Sequence, residues 1–132
     1  MKKVFSLLLA IGIIISFSSC GVKSIEDACA KADKMLVQYS KNRVVDCTYE
    51  GEYTKMNGVY YYYVEATAPT LDIDSRYTAA VITSLAQRIE KEVYPNLQSL
   101  FEKFDVDVII AVCDSRGKAH NFILNGNIQS LN

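Results

Sequence analysis

The sequence predicts a two-layer α+β domain, a four-stranded antiparallel sheet made of two hairpins with helices on one face, in the order α-β-β-α-β-β. Three observations carry this. Two long segments repeat apolar residues every three to four positions, the spacing of a helix with one buried stripe. Residues 45–67 alternate polar and apolar about Asn57-Gly58, a strong hairpin signal. Residues 106–124 are rich in β-branched side chains around Ser115-Arg116-Gly117.

The first helix is expected over residues 25–41. Ser24 suits its N-cap, with Asp27 three residues on, and Asn42 suits its end. Its buried stripe is Ile25, Ala28, Cys29, Ala32, Met35, Leu36 and Tyr39.

A two-residue type I′ turn at Asn57-Gly58 pairs Met56 with Val59, Tyr53 with Tyr62, Gly51 with Val64 and Tyr49 with Ala66. One face then holds Val45, Cys47, Tyr49, Tyr53, Tyr60, Tyr62, Val64 and Ala66. The other holds Asp46, Thr48, Glu50, Glu52, Thr54, Tyr61, Tyr63, Glu65 and Thr67. One register sorts these residues by polarity, as a sheet with one wet face requires.

Pro69 ends the second strand, and Asp72, Asp74 and Ser75 suit the acidic start of a second helix. An apolar period runs from Val81 to Phe104. Pro95 breaks it near residues 92–94, because a mid-helix proline loses a hydrogen bond and clashes with the preceding turn. In the second hairpin, a three-residue loop at 115–117 puts Val106, Val108, Ile110, Val112, His120, Phe122 and Leu124 on one face. It puts Asp107, Ile109, Ala111, Cys113, Ala119, Asn121 and Ile123 on the other. Residues 125–132 are expected to fray.

At the start stand Lys2-Lys3, an apolar run from Val4 to Phe17, then Ser18-Ser19-Cys20-Gly21. The run is shorter than the roughly 20 residues that span a bilayer as helix. Its layout is that of an export signal. The segment resembles the signal peptide of a bacterial lipoprotein, with Phe17 where leucine is usual. That resemblance implies cleavage before Cys20, whose sulfur and amine then carry acyl chains. Two or more chains give a stable hold on a membrane. With Gly21 in place of Asp, it also implies sorting to the outer membrane. The organisation expected is a signal peptide at 1–19, a lipidated anchor and tether at 20–23, one domain at 24–124 and a tail at 125–132.

Losing Lys2 and Lys3 leaves 12 of the 14 basic residues against 15 acidic ones, a balance of −3. With no basic block, a nucleic-acid role lacks its electrostatic footprint. Cys29, Cys47 and Cys113 form no Cys-x-x-Cys pair and read as core residues. Cys29–Cys47 is the disulfide to test first, since both fall on expected core faces. The single histidine, His120, is expected on the face opposite Cys113, so a thiol–imidazole pair is not expected. There is no Gly-x-Ser-x-Gly elbow, metal-ligand spacing or Gly-rich phosphate loop, and no cofactor is expected.

The wet face of the first hairpin is the surface that stands out. Glu50 faces Glu65, which is destabilising, while Glu52 faces Tyr63 and Thr54 faces Tyr61. Rings beside carboxylates suit a sugar, a basic peptide or a protein partner. The expectation is a non-enzymatic, lipid-anchored envelope module. It would dock an envelope protein or glycan through Tyr61, Tyr63, Glu50, Glu52 and Glu65. A small ligand-binding or hydrolase-inhibitor module is the alternative, and an enzyme a third.

Overall fold

The structure is a computed structural model that describes residues 22–71 and 77–131. Cys20 and its flanking segment lie outside these residues, as do Asp72, Asp74 and Ser75. The described elements are α1 (Ile25–Lys41), β1 (Thr48–Met56), β2 (Val59–Thr67), α2 (Tyr77–Glu92), α3 (Tyr94–Phe101), β3 (Asp107–Cys113), β4 (Ala119–Leu124) and β5 (Asn127–Ser130). Short 3₁₀ turns occur at Val44–Asp46 and Glu102–Phe104.

The fold is α+β, but the sheet has five strands and is mixed. Strands follow one another in the order β1-β2-β3-β4-β5, antiparallel except for the parallel pair β2–β3. The expected all-antiparallel sheet of four strands is thus corrected. The segment between β2 and β3 carries two helices, long enough to return the chain to the end where β2 began. The next strand must then run parallel to β2. The fifth strand comes from the stretch expected to fray. Asn125 and Gly126 both have positive φ, 53° and 76°, and form a second two-residue turn that pairs Leu124 with Asn127.

α1 forms where expected. Ser24 Oγ accepts from the Asp27 backbone N–H at 3.1 Å, and Ala28, Ala32, Met35 and Leu36 are buried. The break before Pro95 also occurs: α2 ends at Glu92 and α3 starts at Tyr94. Residues 44–46 differ from expectation. Val45 is not in a strand but in a 3₁₀ turn, with Arg43, Val45 and Asp46 all at positive φ.

One core joins the apolar stripes of the three helices to one face of the sheet, including Tyr62, Val64, Val108, Ile110, Val112 and Ile123. Tyr62 is fully buried and stacks on Phe101 with ring centroids 4.9 Å apart. Its hydroxyl donates to Asp33 Oδ1 at 2.6 Å. The ring lies so close to β1 that a Cβ at position 51 would meet the Tyr62 oxygen at 2.4 Å, so only glycine fits there. Tyr60, expected inward like Tyr62, is instead 46 % exposed, because the hairpin tip extends beyond the helices.

The second hairpin closes as expected around residues 115–117, with Asp114 N–H donating to Lys118 O and Gly117 N–H to Asp114 O. The register then shifts by one. Cys113 pairs with Ala119, but Val112 pairs with Asn121, leaving His120 as the extra residue of a β-bulge. Every side chain beyond the bulge therefore changes face. Asn121 and Ile123 are buried against the helices, while Phe122 and Leu124, expected inward, lie on the outer face.

Candidate functional site

The outer face of the sheet is the candidate site. The register of the first hairpin is the expected one: Glu50 faces Glu65, Glu52 faces Tyr63 and Thr54 faces Tyr61. The parallel pairing then sets Tyr61 beside Asp107, Tyr63 beside Ile109 and Glu65 beside Ala111. Beyond them, Leu124 pairs with Ile109 and Phe122 with Ala111. Two rows of side chains thus cross the sheet: Glu52, Tyr63, Ile109, Leu124, and Glu50, Glu65, Ala111, Phe122. Tyr61, Tyr63, Ile109, Phe122 and Leu124 are all half-buried, shielded by one another rather than by a described helix.

The structure therefore brings all five expected residues together, with Glu50, Glu52 and Glu65 exposed at one margin. The Tyr63 hydroxyl lies 3.5 Å from Glu65 Oε2, and burial, with Glu65 close by, pushes its pKa up. Among the described residues no lysine or arginine forms an ion pair with Glu50, Glu52 or Glu65. Sequence reasoning missed Phe122 and Leu124 as part of this face. Nothing in the local pattern announces the bulge that turns them outward.

β1 is an edge strand, and its margin is hollow. Tyr49 N–H donates to Ser40 Oγ at 2.8 Å, and Ser40 Oγ donates to Tyr49 O at 3.1 Å, so α1 covers the edge there. Two residues on, the corresponding backbone groups of Gly51 form no hydrogen bond among the described residues. A hollow of about 440 Å³ opens at this point, with Asp33, Val37, Glu50, Gly51, Glu52 and Tyr63 in its wall.

No protein-family model, curated protein or solved structure matches the chain.

The remaining polar groups serve the fold. Asp114 is fully buried. Its Oδ1 accepts from the Arg116 and Lys118 backbone N–H groups at 2.9 and 3.1 Å, and its Oδ2 lies 2.9 Å from His120 Nε2. Burial alone would raise its pKa, but these hydrogen bonds outweigh that and hold the carboxyl below its ordinary value. The imidazole thus holds the bulge to the turn. Cys29, Cys47 and Cys113 are free thiols. Burial pushes Cys47 and Cys113 up to about 11, away from the thiolate a nucleophile needs. Among the described residues no group of acidic, histidine or cysteine side chains is placed to hold a metal.

Proposed function

We propose that the protein is a non-enzymatic cell-envelope module, anchored through acyl chains on Cys20 and sorted to the outer membrane, that docks another envelope component on the uncovered face of its sheet. The supporting observation is the contiguity of Tyr61, Tyr63, Ile109, Phe122 and Leu124 on a face that no described helix covers. Grouped apolar side chains with a charged margin mark interaction surfaces, whereas scattered ones do not. Tyrosine supplies large contact area at small entropic cost and keeps a hydroxyl for the partner. Glu50, Glu52 and Glu65 favour a partner with basic groups at the matching edge. The lipoprotein-like start of the chain supports the anchor and the envelope location.

In-cell crosslinking of the full chain, followed by mass spectrometry, tests this. One dominant envelope protein is expected, and its capture should be lost in the Tyr61→Ser, Tyr63→Ser double variant. Equal capture by both forms would refute the surface. The hollow beside Gly51 favours a second reading, a small-ligand module for a compound with a basic group. That reading predicts saturable binding of a soluble ligand, weakened by Glu52→Gln.

A further inference from the structure

We propose that the tip of the β1–β2 hairpin rests on the membrane surface to which the chain is anchored, with Met56, Val59 and Tyr60 entering the lipid headgroup layer. This rests on the anchor reading above and adds a non-covalent contact to it.

The first argument is where the chain enters the domain. Val22 is buried, and its carbonyl accepts a hydrogen bond from Lys103 Nζ. Residues 1–21 therefore join the domain beside the Glu102–Phe104 turn. Two peptide units separate Cys20 from Val22, a reach of about 7 Å. An acylated Cys20 would hold that pole of the domain against the lipid.

The second argument is what shares the pole. Glu102–Phe104 leads into β3, whose first residue, Asp107, lies beside Tyr61, next to the hairpin tip. α1 runs along β1 with Ser40 at Tyr49, far from the tip, and Asp33 at Tyr62, nearer to it, so the helix starts toward the tip. The start of α1, the 3₁₀ turn and the tip of the hairpin thus lie at the same end of the sheet. The turn that follows Asp114 lies at the other end.

The third argument is the chemistry of the tip. Met56, Val59 and Tyr60 are 36 %, 49 % and 46 % exposed, three large apolar side chains within five residues. Tyr60 stacks on Tyr53 at 5.1 Å between centroids, and Lys55 Nζ lies 5.3 Å from the Tyr60 ring centre. Aromatic rings with an ammonium beside them suit the membrane–water interface, the ring at the level of the headgroups and the lysine reaching for phosphate. Lys23, Lys55 and Lys103 at this pole are offset by Glu26, Glu102 and Asp105, all exposed, and the half-buried Asp107 beside Tyr61 adds a further carboxylate. The contact is therefore apolar, and a zwitterionic lipid suffices for it.

The chain has no tryptophan, so a single introduced one reports cleanly. The full lipidated Val59→Trp variant is placed in phosphatidylcholine vesicles whose acyl chains carry bromine. Ser115→Trp, at the opposite pole, is the control. The expected result is about a twofold loss of emission for Val59→Trp and none for Ser115→Trp, since interfacial side chains reach roughly 5–10 Å into the headgroup boundary. No quenching of Val59→Trp, equal quenching of both, or quenching that appears only when copies are crowded in the vesicle would overturn the proposal. Mass spectrometry of the N-terminal peptide separates the two readings. Acylated Cys20 with an unquenched Val59→Trp overturns the tip contact alone, while a Cys20 without acyl chains overturns the anchor reading.

Discussion

Replacing Gly51 by alanine should destabilise the domain through a single methyl group. Ordinary contact to a Cβ begins near 3.4 Å, but the methyl would sit 2.4 Å from the Tyr62 oxygen, 2.6 Å from Leu36 Cδ1 and 2.7 Å from Tyr62 Cζ. The hydroxyl would have to retreat by about 1 Å, and Leu36 by nearly as much. Neither has room. Tyr62 is held between β1 and Phe101, and Leu36 is 2 % exposed. Overpacking of this kind costs about 1–3 kcal/mol. Displacing the hydroxyl also breaks its bond to Asp33, worth about 1–2 kcal/mol because the carboxylate is solvent-exposed. The total, about 2–5 kcal/mol, is a large share of the roughly 5–15 kcal/mol that holds a domain of this size. Urea unfolding should show a lower midpoint with an unchanged slope. Tyr62→Phe alone should cost only the hydrogen bond. In the double variant the methyl still meets the ring and Leu36, so part of the alanine penalty remains. A Gly51→Ala protein within about 0.5 kcal/mol of the parent would refute this account of the packing.

Other changes probe the turns and buried thiols. The Cys47 and Cys113 thiols are raised in the fold, so their contribution to stability is complete below pH 9 and lost as pH rises from 9 to 11. The melting temperature should fall across that window, and less steeply in the Cys47→Ala, Cys113→Ala double variant. Asp114 is lowered, so its contribution is present at neutral pH and lost as pH falls below about 4. Asp114→Ala should cost about 1–3 kcal/mol at pH 7, and a gap in melting temperature that persisted undiminished at pH 2 would contradict the assignment. Arg43 is exposed and left-handed (φ 51°) just after the end of α1, where glycine is favoured. Arg43→Gly should stabilise by about 0.5–1 kcal/mol, measurable as a higher urea midpoint.

The first hairpin was legible because two local signals agree there: the Asn-Gly turn and the alternation of polar and apolar residues about it. The second was legible in its strands and turn but not in the faces of β4, because a bulge depends on a contact rather than a pattern. His120 can be extra in β4 only because Asp114, held by the turn, receives its imidazole. The outward face of Phe122 and Leu124 follows from that one insertion. The parallel β2–β3 pair was missed for another reason. Hairpin patterns show which strands are neighbours in sequence, but the crossover that orders them runs through α2 and α3. β5 did have a readable signal, since Asn125-Gly126 is the same dipeptide as Asn57-Gly58, followed by only four strand residues.

The uncovered backbone at Gly51 has a consequence for life at high density. Proteins tethered to one surface share an orientation and meet far more often than in solution, and an open sheet edge is a template for polymerisation. Ser40 closes that edge at Tyr49. Beyond it, Glu50 and Glu52 flank the opening, and a second copy pairing antiparallel about Gly51 would set carboxylates opposite carboxylates. If the chain is anchored as proposed, the same charges that would greet a basic partner would also oppose edge-to-edge pairing of neighbouring copies.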